Sequence, residues 1–201
     1  MDLVAQEHQY SLLAPAVPAG FFYQPEFVTI AEERQLVAEI EPLEFKRVEM
    51  HGGVARRRVA HFGWSYGYYS RRTKPGEPLP AFLLPLRERA AGWAHIVADE
   101  FVEALVTEYP PDATIGWHRD APMFGDMIAG ISLRGMSRMR FRPYVSPKDQ
   151  RGLPPRRATH EVELEARSAY LISGEARRDF EHSIPAVASL RYSITFRTLR
   201  P

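Results

Sequence analysis

The sequence predicts an α+β fold in which N-terminal helices pack on one sheet of a double-sheet jelly roll. Two observations carry this expectation: helix-periodic apolar segments are confined to the first half of the chain, and from Ala104 onward the sequence is a series of short strand-like runs. Pro, Gly or Asp separate the runs, and many alternate apolar with polar residues, so each would bury one face and need a second layer to cover it.

In chain order, residues 1–25 read as an irregular lead, 26–103 as helices with a hairpin between them, and 104–201 as the β core, all within one domain. "VTIAEERQLVAEIE" places Thr29 and Glu32 in the spacing of a capping box, with Leu36, Val37 and Ile40 as its apolar stripe. A second helix is expected over "AFLLPLRERAAGWAHIV", residues 81–97, with Pro85 near its first turn, where its missing N–H costs nothing. Between the helices, "RRRVAHFGWSYGYYSRRTKPGEPLP" is aromatic and basic with turn residues near its end, and reads as strand, hairpin and loop. The strand candidates that follow are "ALVTEY", "MIAGISL", "SRMRFR", "THEVELE", "SAYLIS" and "RYSITFR". "SPKDQRGLPPRRA" interrupts them as a polar, proline-rich loop.

Composition bounds the chemistry. A chain of 201 residues that is 45% hydrophobic suits one domain with a substantial core. Cysteine is absent, which excludes a disulfide framework, a thiolate zinc site and a Cys nucleophile, so any metal must take nitrogen and oxygen ligands. The 26 basic residues include only 3 Lys, and guanidinium groups grip carboxylates and phosphates bidentately. A net charge of +1 permits a local nucleic-acid patch without demanding one. No apolar run approaches the length of a membrane span and the N-terminus has no basic start before an apolar stretch, so a cytoplasmic protein is the expectation, and with no unusual apolar surface helix evident, a monomer.

The chemistry-bearing stretch is "TIGWHRDAPMF". With 7 His and 7 Asp, an H-x-D triplet is expected about a quarter of a time by chance, so the pair needs company. In an extended segment, His118 and Asp120 share a face with about 7 Å between their Cα atoms, close enough to hold one ion. His8, His51, His95 and His160 read as surface or core histidines. His182, in "DFEHSIP" shortly before the last strand, is the candidate third ligand. Two His and a carboxylate on one face of an octahedron form the facial triad of non-heme Fe(II) oxygenases. In "RYSITFR", alternation sends Arg191, Ser193, Thr195 and Arg197 to one face and Tyr192, Ile194 and Phe196 to the other. The two Arg stand about 20 Å apart along the strand, so only long inward-leaning side chains could address one small dianion or its metal. A buried guanidinium needs a carboxylate partner.

The order H-x-D, then "HSIP", then "RYSITFR" resembles the AlkB family of Fe(II)- and 2-oxoglutarate-dependent dioxygenases. The likeness extends back through "EALVTEYPPDATIGWHRD" and more faintly to "YGYYSRRTKPGEPLP". It implies a double-stranded β-helix core and the cofactors Fe(II), 2-oxoglutarate as co-substrate, and O2. Carried over by position, it implies that His118, Asp120 and His182 bind Fe(II). Arg191 would pair with the distal carboxylate of 2-oxoglutarate, Tyr109 would bond the same molecule, and Arg197 would support the other carboxylate or Asp120. Ser193 and Thr107 stand where the family commonly has Asn, and both can still hydrogen-bond.

The implied chemistry is hydroxylation of a substrate C–H bond, which at an N-methyl group ends in loss of formaldehyde. The resemblance implies alkylated DNA or RNA, single-stranded or with a flipped base, as the partner. Tyr66 and Tyr68 match a Y-x-Y of the family's substrate lid, and Arg56, Arg57, Arg58, Arg71 and Arg72 could hold phosphates. The same tyrosines and arginines could instead pack and solvate a hairpin. Pro122 and Val59 stand where base-repairing members carry an acidic and a stacking residue. Oxygenation of a protein side chain, a small molecule or a modified tRNA base, or a metal-binding scaffold without catalysis, are the alternatives.

Overall fold

Alternation on the last strand organises the molecule. In the computed structural model, which describes residues 17–50, 53–67, 72–146, 148–149 and 158–200, strand β12 (Arg191–Leu199) lies near the middle of an eight-stranded sheet. The strand order is β1 (Phe21–Gln24), β10 (Ala169–Ile172), β7 (Phe124–Leu133), β12, β5 (Glu103–Tyr109), β3 (Gly53–Gly67) and β2 (Lys46–Met50), with β4 (Arg72–Pro75) paired to the far end of β3. A second sheet has the order β6 (Ile115–His118), β11 (Phe180–Ile184), β8 (Ser137–Pro143) and β9 (His160–Leu164). The described strand pairs are antiparallel, and the arrangement is the expected jelly roll.

One face of the large sheet carries the helices. Helix α1 (Ile30–Ile40) begins at the capping box: the Thr29 hydroxyl accepts from the Glu32 N–H and the Glu32 carboxylate accepts from the Thr29 N–H. Its buried stripe is Leu36, Val37 and Ile40, as the periodicity predicts. Helix α2 (Leu84–Ala94) has Pro85 in its first turn, after a 3-10 turn at Ala81–Leu83. It stops three residues short of the expected end because His95 takes a left-handed conformation, φ 55°, whose N–H caps the carbonyls of Ala91 and Gly92. These helices share a core with Val106, Ile131, Ile194 and Phe196 of the sheet. The opposite, inward face carries the alternate residues of each strand, and there Phe21, Ile128, Met139, Phe141, Leu164 and Ile172 fill one end of the space between the sheets.

Three elements differ from expectation. Residues 21–24 are a strand, not part of an irregular lead: β1 pairs with β10, and Phe21 packs edge-on against Phe141 at 5.1 Å between centroids. A four-residue strand is too short for a pattern, and its partner lies some 150 residues away. The segment between β10 and β11 forms a short helix, α3 (Gly174–Arg178), and His182 stands within a strand, β11. Most of the proline-rich stretch between Ser146 and Ala158 lies outside the described residues. No helix among the described residues is long and apolar enough to cross a membrane.

Candidate active site

The inward face of the large sheet is the floor of a cavity of about 650 Å³. Strand register sets out the floor in rungs. Arg191 lies opposite Tyr109, Ser193 opposite Thr107, Thr195 opposite Leu105 and Arg197 opposite Glu103. On the next strand Val59 faces Thr107 and His61 faces Leu105. Strands β6 and β11 of the small sheet close the other side.

His118 and His182 are direct cross-strand partners on β6 and β11, with ring centroids 4.4 Å apart. Asp120 lies two residues past the end of β6, in the segment leading to β7. One ligand atom from each of His118, Asp120 and His182 lies within 4.8 Å of the others, and the group could hold a metal ion. His118 Nδ1 sits 2.9 Å from the carbonyl of Gly116, which can only accept, so Nδ1 carries the proton and Nε2 is left as the ligand atom.

The electrostatics suit a divalent cation. Burial pushes the His118 imidazole below its ordinary range, helped by Arg197 and Arg57 and opposed by Asp120. His182 is pushed down to about 3, first by burial and then by its neighbour His118. Both rings are therefore neutral and free to donate to a metal at ordinary pH. Burial pushes the Asp120 carboxyl up, but Arg197, the two histidines and Arg177 outweigh it and hold the group well below the usual carboxylate range. Its Oδ1 accepts from Arg197 Nε at 2.6 Å. Burial works against the Arg197 charge, yet Glu103 and Asp120 more than offset it. Arg197 thus steadies a ligand and bonds Glu103 at 2.8 Å.

Arg191 is different. It is fully buried, its Nη2 donates to Ser132 at 2.7 Å, and its Nε and Nη1 have no hydrogen-bond partner. The Tyr109 ring lies 5.1 Å from its guanidinium carbon. Burial pushes the group down, opposed by the hydroxyls of Tyr109 and Tyr170, of which Tyr109 also approaches it as a hydrogen-bond acceptor. Arg191 shares the strand face of Ser193, Thr195 and Arg197 but is itself fully buried, behind the cavity lining that Tyr109, Tyr170 and Ser193 form. A guanidinium with two orphaned donors beside a cavity that also holds a His–Asp–His cluster fits one ligand type well, a small molecule with a carboxylate at its far end. The donor set therefore fits Fe(II) and 2-oxoglutarate together. Gly130 makes room nearby: a Cβ there would meet the Tyr170 ring at 2.1 Å, so only glycine lets that tyrosine cross the strand.

His118, Asp120, His182, Arg197, Tyr109, Thr107 and Ser193 all line the cavity, while Arg191 lies on the same strand face with no exposed surface. The substrate residues fare differently. Tyr66 lies in the β3–β4 hairpin, where its backbone pairs with Thr73, but its side chain, Tyr68, Arg71 and the side chain of Arg72 lie outside the described residues. Arg57 lines the cavity and bonds the carbonyl of Thr114. Alternation turns Arg58 to the face away from the cavity, where it forks onto Glu108 at 2.8 and 2.9 Å. Arg56 is exposed and 3.7 Å from Asp112.

Sequence reasoning passes over Glu103, His61 and Arg177. The first two carry a signal, since Glu103 alternates with Leu105, Thr107 and Tyr109, and His61 with Val59. Arg177 carries none. From α3 its buried guanidinium donates to the carbonyls of Asp120, Ala121, Phe124 and Gly125 and ties the ligand loop to the segment leading into His182.

Residues 20–197 match the model of the 2OG-Fe(II) oxygenase superfamily. The chain is 34% identical over 185 residues to a protein of Arabidopsis thaliana named alkylated DNA repair protein ALKBH8 homolog, covering 83% of this chain and 51% of that one. It is 26% identical over 182 residues to a mouse (Mus musculus) protein named tRNA (carboxymethyluridine(34)-5-O)-methyltransferase ALKBH8, covering 84% of this chain and 24% of that one. The chain thus spans about half the length of the first relative and a quarter of the second. Among solved structures, that of OsALKBH1 superposes with a TM-score of 0.68 at 14% identity, covering 91% of this chain and 98% of that one. A 2OG-Fe(II) oxygenase family oxidoreductase from Burkholderia pseudomallei gives 0.62 at 16%, covering 92% and 87%.

Proposed function

The chain belongs to the 2OG-Fe(II) oxygenase superfamily, and from that premise we propose that it oxidatively demethylates N-alkylated bases of DNA or RNA. In this reading His118, Asp120 and His182 hold Fe(II), and Arg191, with Tyr109 beside it, anchors the distal carboxylate of 2-oxoglutarate. Thr107 and Ser193 line the floor between Arg191 and Arg197. The observation that carries the reading is Arg191, a wholly buried cation with two unpartnered nitrogens in the same interior as a His–Asp–His cluster.

When bound, Fe(II) with 2-oxoglutarate and O2 supplies the oxidation, in which the keto acid leaves as succinate and CO2 and a substrate C–H bond is hydroxylated. The chain's own residues prepare for it. Neutral His118 and His182 present nitrogen lone pairs, and Arg197 fixes Asp120 through one oxygen, leaving the other toward His182 at 3.7 Å. Apolar Leu105, Phe124, Ile128 and Ile184 exclude water from the cavity. Val59 and Arg57 of β3 stand on the cavity wall, where Arg57 would meet a substrate phosphate.

A nucleobase substrate is supported by the cavity's size, by arginine on its wall and by the name of the Arabidopsis relative, an alkylated DNA repair protein. A modified tRNA base is the second reading, favoured by the name of the mouse relative. A scaffold without catalysis gives no reason to bury Arg191 with two donors unused.

Single-stranded oligonucleotides bearing 1-methyladenine or 3-methylcytosine, incubated under air with the protein, Fe(II), ascorbate and 2-oxoglutarate, test the reading. It expects formaldehyde from the methylated strands and none from unmethylated ones. Succinate release that no strand stimulates would move the substrate elsewhere.

A further inference from the structure

Glu103 is buried to 1% exposure and has a carboxylate oxygen on each side of a boundary. Oε2 accepts from Arg197, which in turn holds Asp120. Oε1 lies 3.4 Å from Nδ1 of His61, whose side chain is 47% exposed and lines the cavity wall. A run of side chains therefore links the ligand Asp120 to a half-open imidazole on the neighbouring strand. Arg197 alone would have its charge met by Asp120, so a second buried carboxylate needs a further reason, and His61 supplies one.

Resting on the nucleobase reading above, we infer that His61, oriented by Glu103, is the residue that reads the edge of the admitted base, and that it selects bases keeping an N–H donor beside the alkylated position. A carboxylate can only accept, so its approach to Nδ1, an ion-pair contact at 3.4 Å, favours the tautomer with the hydrogen on Nδ1. In that tautomer Nε2 is the acceptor, and since Nδ1 is the nitrogen beside Glu103 and His61 lines the cavity, Nε2 is the nitrogen left to meet a base. Val59, two residues earlier on the same face, is apolar and packs a ring without reading it. Among the described side chains on the cavity face of β3, Arg57 donates and His61 accepts. Exocyclic amines and ring N–H groups complement such an acceptor, whereas a carbonyl in the same place would set two lone pairs against each other.

Two fluorescent single strands, identical except that one carries 3-methylcytosine and the other 3-methyluracil, place a methyl group on the same ring nitrogen beside an amine in one case and a carbonyl in the other. Their affinities for the full chain are measured by anisotropy with Mn(II) and 2-oxoglutarate, so the readout is binding and not turnover. The wild type should hold the 3-methylcytosine strand about tenfold more tightly than the 3-methyluracil strand. In His61→Phe and His61→Leu, which keep apolar bulk without the lone pair, the ratio should fall to near one, and His61→Gln, which retains an acceptor oxygen, should keep much of it. Two apolar variants are used so that a folding failure in one leaves the other. A ratio in either variant equal to that of the wild type would overturn the assignment, as would a wild type that prefers neither methylated strand. A wild type that holds both no better than an unmodified strand would instead overturn the nucleobase reading itself.

Discussion

Arg191 is the residue on which the account turns. Its guanidinium stands at full burial with one of three nitrogens bonded, so in the ligand-free protein it is a cost, since buried charge is expensive without a paired anion. Replacing it with Met, of similar length and apolar, should leave the ion-free protein as stable as the wild type or more so, by up to about 1–4 kcal/mol, measured by urea unfolding. A loss of several kcal/mol would mean that Arg191 serves the fold and not a ligand. The sequence makes this residue legible: period-two alternation in "RYSITFR" turns Arg191, Ser193, Thr195 and Arg197 inward together. The same rule applied to "EALVTEY" exposes Glu103, a step the order of motifs does not prompt. Arg177 shows the limit, because nothing in "SGEARRD" announces an arginine that donates to four carbonyls across the loop after His118.

At the scale of elements, α1 is the part most fully legible, since a capping box and a stripe are local. Thr29→Ala should cost about 1 kcal/mol, seen as a drop in Tm of about 2–4 °C. Glu32 serves both cap and ion pair: hydrogen bonding to Arg89, first, and to the Thr29 backbone hold its carboxyl down at about 2 from 4.5. A carboxyl lowered by folding contributes stability that is fully present above pH 4.5 and lost as pH falls through 2. The Tm gap between wild type and Glu32→Gln should therefore be constant above about pH 5 and close as the pH drops toward 2. A gap that persists at pH 2 would show that something other than the carboxylate's charge causes it. Strands β1, β6 and β11 were less legible, being four or five residues long with partners far away in sequence. What places His118 against His182 is the pairing of β6 with β11, a contact that no local pattern encodes.

For the whole molecule, the division of labour between two faces of one sheet is the main result. Helices and the larger core occupy one face, while the other holds, beside a smaller apolar cluster, a row of polar residues that a core alone would not tolerate. The alternating strands and separating turns predict that layering, although not that β2 and β3 from the helical half extend the same sheet. Binding to the folded chain alone should stabilise the whole. Mn(II) at a hundred times its dissociation constant should add about 2.7 kcal/mol, or roughly 5–10 °C in Tm for a domain of this size. His182→Ala should abolish most of that gain, and an equal gain in the variant would place the metal elsewhere.

The rate of succinate formation against 2-oxoglutarate concentration, under air with Fe(II) and ascorbate, for the wild type and Arg191→Met, tests the central claim most directly. The account predicts saturable succinate formation by the wild type and a requirement for 2-oxoglutarate about a hundredfold higher in the variant, the loss expected when a charged, forked hydrogen bond is removed. Equal requirements in the two proteins, or no succinate from the wild type, would contradict it.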